Sequence, residues 1–253
     1  MQSTDFRRAA WLAIALVIVP PHPVRVARAT DAPGAAAWTS LGAGVEHLAI
    51  AHGAIDGHAF RFRPTDVALR IVPASAGLAP VASLAPAGDV IATNASFFDT
   101  DGRAMGVAFD RGRSVGGARL ARWAAFVVDG GRARIVAGAR LESGAHDFAV
   151  QGMPRLVVGG EVPALKPQRA RRTAVCVAGD AVVLLATRSR VEGAELARWL
   201  AAPARDGGLG CDEALNLDGG SSTQLTVRWN GFDAAIEGLS GVPNALVVMP
   251  KPR

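Results

Sequence analysis

From about His47 to Pro250 the chain is written in short apolar or alternating runs, each cut off by glycine, proline or aspartate before it reaches helical length. An amphipathic helix needs about ten to twelve residues of 3.6-residue periodicity, whereas a strand is complete in about four to eight. The runs fall at 47–51, 67–72, 90–92, 105–109, 124–128, 133–136, 156–158, 174–177, 182–186, 214–217, 224–229 and 245–249. Two pairs are joined by hairpin signals, Asp129-Gly130-Gly131 and Ala178-Gly179-Asp180. Twenty-nine glycines and 15 prolines supply the turns that so many strands require. One helix is expected over 192–202, where Leu196, Trp199 and Leu200 share a face, Glu192 and Glu195 favour the positive end of the dipole, and Pro203 ends the run. A weaker helix is expected at 79–84. The pattern predicts an α+β fold: a single domain over 46–253 with extensive mixed or antiparallel sheet and few helices. Residues 30–45 read as a loose Ala- and Gly-rich entry segment.

The first 29 residues have a different character. Arg7-Arg8 precede an apolar run over 9–19, and Ala27-Arg28-Ala29 supplies a small-x-small cleavage pattern. That order is that of a signal peptide, and the run is too short to span about 30 Å of hydrocarbon. The expected location is therefore periplasmic or secreted. Of 27 Lys and Arg and 22 Asp and Glu, this leader holds four arginines and one aspartate, leaving a net charge of only +2 beyond it. So small a charge gives little general attraction for polyanions, and aromatics at 6% with no tyrosine count against a base-stacking surface. Nucleic acid is not an expected partner. Any anion site must be local.

Export changes what Cys176 and Cys211 mean. An oxidising compartment pairs such residues, and the bridge would be worth roughly 4 kcal/mol in the chain-entropy model. The other reading is two buried free thiols. No histidine or further cysteine stands at zinc-ligand spacing, and no metal or cofactor is expected.

Phosphate-binding loops, dinucleotide fingerprints, nucleophile elbows and paired helical histidines are all missing from the sequence. Three other constellations carry chemistry. Asn216-Leu217-Asp218-Gly219-Gly220-Ser221-Ser222-Thr223 follows an apolar strand. Its glycines permit positive φ and close approach, so its amides could form an anion-accepting nest beside a carboxylate. Asn94-Ala95-Ser96-Phe97-Phe98-Asp99 also follows a strand, and Asn94 can donate and accept at once. Asp99-Thr100-Asp101-Gly102 lacks the later ligands of a calcium loop and reads as a turn. Arg169-Ala170-Arg171-Arg172 enters a strand, where a run of cations ordinarily discourages edge pairing. Arg172 directly precedes apolar sequence, so its guanidinium can point into a cleft and hold phosphate in bidentate fashion.

In this order the constellations resemble the phosphodiester glycosidase family over about 47–250. The matching segments are residues 94–98, Arg172-Thr173-Ala174, Asn216 to Gly220 and Val242-Pro243-Asn244, with a looser echo in Gln151-Gly152-Met153-Pro154-Arg155-Leu156. Ser96 and Ser221 stand where many members have glycine. The resemblance implies hydrolysis of a glycosyl phosphodiester or phosphorylated glycan, in cell-envelope or exopolysaccharide metabolism. In that reading Asp218 is the catalytic carboxylate and Arg172 the leaving-group clamp. Gly219, Gly220, Ser221 and Ser222 form the cradle, Asn94 orients sugar or phosphate oxygens, and Asp99 is a reserve carboxylate. Two other readings stand beside it: a non-catalytic glycan binder, and a metal-assisted phosphodiesterase using Asp99, Asp101 and Asp218 as ligands.

Overall fold

The computed structural model describes residues 37–252. The expected leader over 1–29 lies outside them, as does the beginning of the 30–45 segment. The rest of that segment is not loose: Thr39–Gly42 is a strand paired with Val45–His52. No helix among the described residues is long and apolar enough to cross a membrane.

Three antiparallel sheets make the body. The largest has seven strands in the order Thr39–Gly42, Val45–His52, Ile55–Phe62, Ala181–Thr187, Thr173–Ala178, Glu213–Asn216 and Arg155–Val158. A five-stranded sheet runs Phe232–Ile236, Leu225–Trp229, Val90–Asn94, Asn244–Pro250 and Val67–Pro73. A second runs Arg113–Ser114, Ala108–Asp110, Phe148–Gly152, Ala124–Asp129 and Arg132–Ala137. The strand pairings within all three are antiparallel.

The central strands of the seven-stranded sheet are buried on both faces, which is why 174–177 and 182–186 read as continuous apolar runs rather than alternating ones. Val175, Leu184 and Leu215 point into a central core shared with Phe126 and Phe148 of one small sheet and Ile91 and Leu246 of the other. Ala174, Cys176, Val183 and Ala214 point the opposite way, against Leu196, Trp199 and Leu200 of the Gly193–Ala201 helix. That helix starts one residue later than expected, with Glu192 outside its first turn, and it ends where Ala202 turns extended before Pro203. The weaker expected helix shrinks to Val81–Leu84.

Beyond the helix, Cys211 is tied to Leu200 by a backbone bond of 2.9 Å and to Cys176 by a disulfide. The bridge spans 35 residues with the Cα atoms 5.8 Å apart, inside the range for an ordinary bridge. It fastens the chain after the helix to the strand whose other end carries Arg172.

Candidate active site

Asn94 is the pin that brings the tips of two sheets together. Its Nδ2–H donates to the Asp218 carbonyl at 2.5 Å. Its Oδ1 accepts from the Thr173 hydroxyl at 2.7 Å and the Gln224 amide at 3.1 Å. The side chain is fully buried. Its oxygen and one amide proton are thus committed to holding the tips of three strands. Beside it, Asn244 accepts from the Ser96 amide and donates to the Ser96 hydroxyl, both at 3.0 Å. Ser96 is thereby held in a buried pair with Asn244 just past the end of the Asn94 strand.

Arg172 and Asp218 share a face of the large sheet. Thr173–Ala178 and Glu213–Asn216 pair with Ala174 opposite Asn216. The Leu217 amide continues the ladder to the Thr173 carbonyl at 2.9 Å. Carried on by one residue, that register sets Arg172 opposite Asp218, both on the face that packs against the helix. The guanidinium does not reach the carboxylate. Arg172 Nη2 donates to the Gln168 carbonyl and lies 3.6 Å from where a Cβ on Gly193 would stand. Among the described residues Arg172 makes no salt bridge. It is only 4% exposed, and burial pushes its pKa down against an upward pull from Glu192.

Asp218 is 8% exposed. Its Oδ1 accepts the Gly219 amide at 2.8 Å, while Oδ2 is buried and has, among the described residues, no partner at hydrogen-bonding geometry. Burial pushes the carboxyl above its ordinary range, and the Ser222 hydroxyl and Gly219 amide pull it partly back. No cation is among the groups that set its pKa.

The amide nest expected at Gly219 and Gly220 is not open. The Gly219 amide is spent on Asp218 itself, and the Gly220 amide donates to the Arg171 carbonyl at 2.8 Å. The glycines are needed for another reason. A Cβ on Gly219 would stand 2.9 Å from the Arg171 carbonyl oxygen, and Gly220 has a φ of +65°. They let the Asp218 loop lie against the arginine run. Ser222 is buried, with its hydroxyl 3.5 Å from that of Ser240, whereas Ser221 is exposed and its carbonyl accepts the Leu239 and Ser240 amides.

Asp99 organises a turn. Its Oδ1 accepts the Asp101 and Arg103 amides at 3.0 and 2.9 Å. Among the described residues no three His, Cys, Asp or Glu side chains come together as ligands, so Asp99, Asp101 and Asp218 do not assemble as a metal set.

One participant goes beyond the sequence expectations. Asn216 stands two residues before Asp218, on the same face, and that spacing is the signal that could have found it. Its Nδ2 donates to the Met153 carbonyl at 3.0 Å and the Leu217 carbonyl at 2.5 Å, and its Oδ1 is buried without a partner. The Gly152-Met153-Pro154 segment, whose Met153–Pro154 peptide is cis, packs directly on this strand end. A Cβ on Gly152 would stand 2.4 Å from the Asn216 carbonyl oxygen. Met153 itself is exposed beside the site.

The unpartnered buried polar atoms of the described residues are concentrated here. Five of the eight are Arg171 Nε, Arg172 Nε, Asn216 Oδ1, Asp218 Oδ2 and Thr223 Oγ1. An orphaned buried polar group costs about 1–3 kcal/mol, so a cluster of them on two adjoining strand tips makes this the candidate site.

Comparison with known proteins gives the family. The family model described as phosphodiester glycosidase matches residues 87–249, a span that contains Asn94, Arg172 and Asp218. The chain belongs to the phosphodiester glycosidase family. It is thus a hydrolase of the class acting on glycosyl phosphodiesters.

Solved structures with the same fold include the zebrafish N-acetylglucosamine-1-phosphodiester alpha-N-acetylglucosaminidase catalytic domain, auto-inhibited by its pro-peptide. That match has a TM-score of 0.64 at 16% identity and covers 87% of each chain. A hypothetical protein from Synechocystis matches with a TM-score of 0.59 at 16% identity, over 81% of this chain and 62% of its own. A Burkholderia pseudomallei protein described as exported matches at 0.51 and 15%, over 77% and 74%. A sequence search of curated proteins finds no match. At these identities the solved structures speak for the fold, and membership rests on the family model.

Proposed function

We propose that this phosphodiester glycosidase cleaves the anomeric C–O bond of a sugar-1-phosphodiester, releasing free sugar and a phosphomonoester. The observation that carries the reading is the pair of unpartnered atoms, Asp218 Oδ2 and Arg172 Nε, on one face of adjacent antiparallel strands with no ion pair between them. A carboxylate and a guanidinium left apart in a buried site suit a substrate that develops opposite charges at its two ends. Positive charge grows at the anomeric carbon, where Asp218 opposes it, and negative charge grows on the departing phosphate, which Arg172 meets.

Water adds to the anomeric carbon and gives up a proton to Asp218, whose raised pKa suits it to accept one. The C–O bond breaks with its electron pair on the phosphate oxygen. A phosphate leaves without full protonation, so the step needs no second carboxyl as general acid. Asn94, Asn216 and the two glycines act as positioning residues that fix the Asp218 backbone.

Export to the periplasm or beyond, and a substrate in envelope or exopolysaccharide glycan, belong to the same proposal. The apolar leader in the sequence, the disulfide and the likeness to a protein described as exported support it. The deciding experiment incubates the purified protein with a sugar-1-phosphate methyl diester, with and without chelator. Free sugar and methyl phosphate, in the same yield with chelator, are expected. Release of sugar-1-phosphate lost on chelation would transfer the chemistry to the P–O bond and a metal, and saturable binding without product would leave a glycan binder.

A further inference from the structure

Next to the Asp218 loop lies a recess of about 230 Å³ lined by Ala170, Arg171, Arg190, Gly220, Ser221 and Leu239. Building on the glycosyl-phosphodiester reading, we infer that this recess is a subsite for a second phosphate group, carried by the leaving portion of the substrate. It is distinct from the position in which Arg172 meets the phosphate being cleaved.

The recess adjoins the site through the chain segments that form its walls. One wall is the loop that presents Asp218, the other is the residue before Arg172, and the Gly220 amide bonded to the Arg171 carbonyl fastens them together. Its charge is uncompensated. Arg171 is locked by Nη2 bonds to the Thr223 and Glu237 carbonyls at 2.8 and 2.6 Å, while its Nε is buried without a partner. Arg190 is exposed and bonded only through Nη2 to the Arg169 carbonyl at 3.1 Å. Among the described residues neither forms a salt bridge, whereas neighbouring Arg188 has Asp56 at 3.1 Å. Burial and the charge of Arg188 both push the Arg171 guanidinium down, a repulsion that a bound anion would relieve. Two arginines without an acidic partner among the described residues thus line one recess in a chain whose net charge outside its leader is only +2, which suits local recognition and not general attraction.

Size narrows the ligand. Sites for drug-sized molecules run to about 300–1,000 Å³, so this one takes a phosphate on a short linker and not a whole nucleoside. The Ser221 side of the wall offers a hydroxyl, and Leu239, 83% exposed at the rim, can lie along a short carbon chain. Two sources share this chemistry: a diphosphate-linked sugar, with the second phosphate adjacent, and a repeating polyol-phosphate glycan, with the second phosphate a few carbons away.

The test compares wild type with Arg190→Gln and Arg171→Gln on three substrates bearing the same sugar. These are the sugar-1-phosphate methyl diester, a nucleoside diphosphate sugar, and a sugar-1-phosphoglycerol-3-phosphate, all at about 0.15 M salt to suppress long-range steering. Wild type is expected to prefer one two-phosphate substrate over the methyl diester in kcat/KM. Arg190→Gln should cut that preference by roughly tenfold, the worth of one charged hydrogen bond. The preferred substrate identifies the source. Absence of preference in wild type, or equal loss on all three substrates, overturns the subsite. Arg171 also anchors the loop, so Arg190→Gln decides if Arg171→Gln unfolds.

Should wild type hydrolyse none of the three, the enzymatic reading fails separately, and calorimetric titration of pyrophosphate and glycerol phosphate judges the recess alone. Affinity weakened about tenfold by Arg190→Gln upholds it. Equal affinity, or no binding to wild type, overturns it.

Discussion

Replacing Asn94 separates a residue that touches substrate from one that holds the site together. In Asn94→Ala the Asp218 carbonyl, the Thr173 hydroxyl and the Gln224 amide all lose a partner. Each lies where Asn94 is fully buried, so water cannot simply take its place. At about 1–3 kcal/mol for each orphaned group, and with partial rearrangement of the Thr173 hydroxyl, the loss is about 3–6 kcal/mol. That is a large fraction of the roughly 5–15 kcal/mol that a domain has in total. In a domain of this size it corresponds to a fall in Tm of about 10–20 °C. Thr173→Val removes one of the three bonds and should cost about 1 kcal/mol. The assay is urea unfolding followed by tryptophan fluorescence, with kcat/KM measured on the same preparations. Both variants should lose activity in step with stability, in the order Ala above Val. An Asn94→Ala protein that unfolds within about 1 kcal/mol of wild type yet has lost turnover would refute this reasoning and return Asn94 to direct substrate contact.

Asp218→Asn should abolish turnover. Its folded-state pKa is raised by burial, so between the ordinary carboxylate range and that raised value the folded protein holds more protons than the unfolded chain, and stability falls as pH rises through this window. The variant should flatten that fall and be at least as stable as wild type at neutral pH, as thermal melts across pH will check. Arg172→Lys replaces a planar fork with a point charge that cannot serve both the Gln168 carbonyl and a phosphate, and should lower kcat/KM by about 10²-fold. Near-normal kinetics would make Arg172 structural. Reduction of the disulfide, or Cys176→Ala with Cys211→Ala, should cost about 4 kcal/mol for a loop of 35 residues, read as a lower urea midpoint. An unchanged midpoint would mean that the bridge constrains nothing the unfolded chain would otherwise explore.

Local chemistry made much of the fold legible. The turns at Asp129-Gly130-Gly131 and Gly179-Asp180 join strands where their residues require, and the 3.6-residue spacing of Leu196, Trp199 and Leu200 produces the helix that covers the large sheet. Strands not foreseen include Ile55–Phe62, Phe148–Gly152 and Phe232–Ile236. Ile55–Phe62 contains Gly57 because a Cβ there would lie 2.2 Å from the Ala186 carbonyl oxygen, a cross-strand approach that no local pattern encodes. Phe232–Ile236 does have a local signal, since Asn230-Gly231, with φ of +46° and +79°, is a hairpin turn.

Sequence alone determined that the chain alternates strand and turn, that its cysteines are candidates for a bridge, and that Asn94, Arg172 and Asp218 are candidates for its chemistry. These follow from periodicity, residue type and order, which are local properties. Tertiary structure decided the division of labour among them: Asn94 turned inward as a pin, Asp99 bound into its own turn, and the glycine amides consumed at home. It also left Asp218 Oδ2 and Arg172 Nε without partners and set the unpaired Arg171 and Arg190 around a recess. A side chain's role depends on which of its hydrogen-bonding atoms the fold has already satisfied, and that is settled only when strands distant in the chain are brought together.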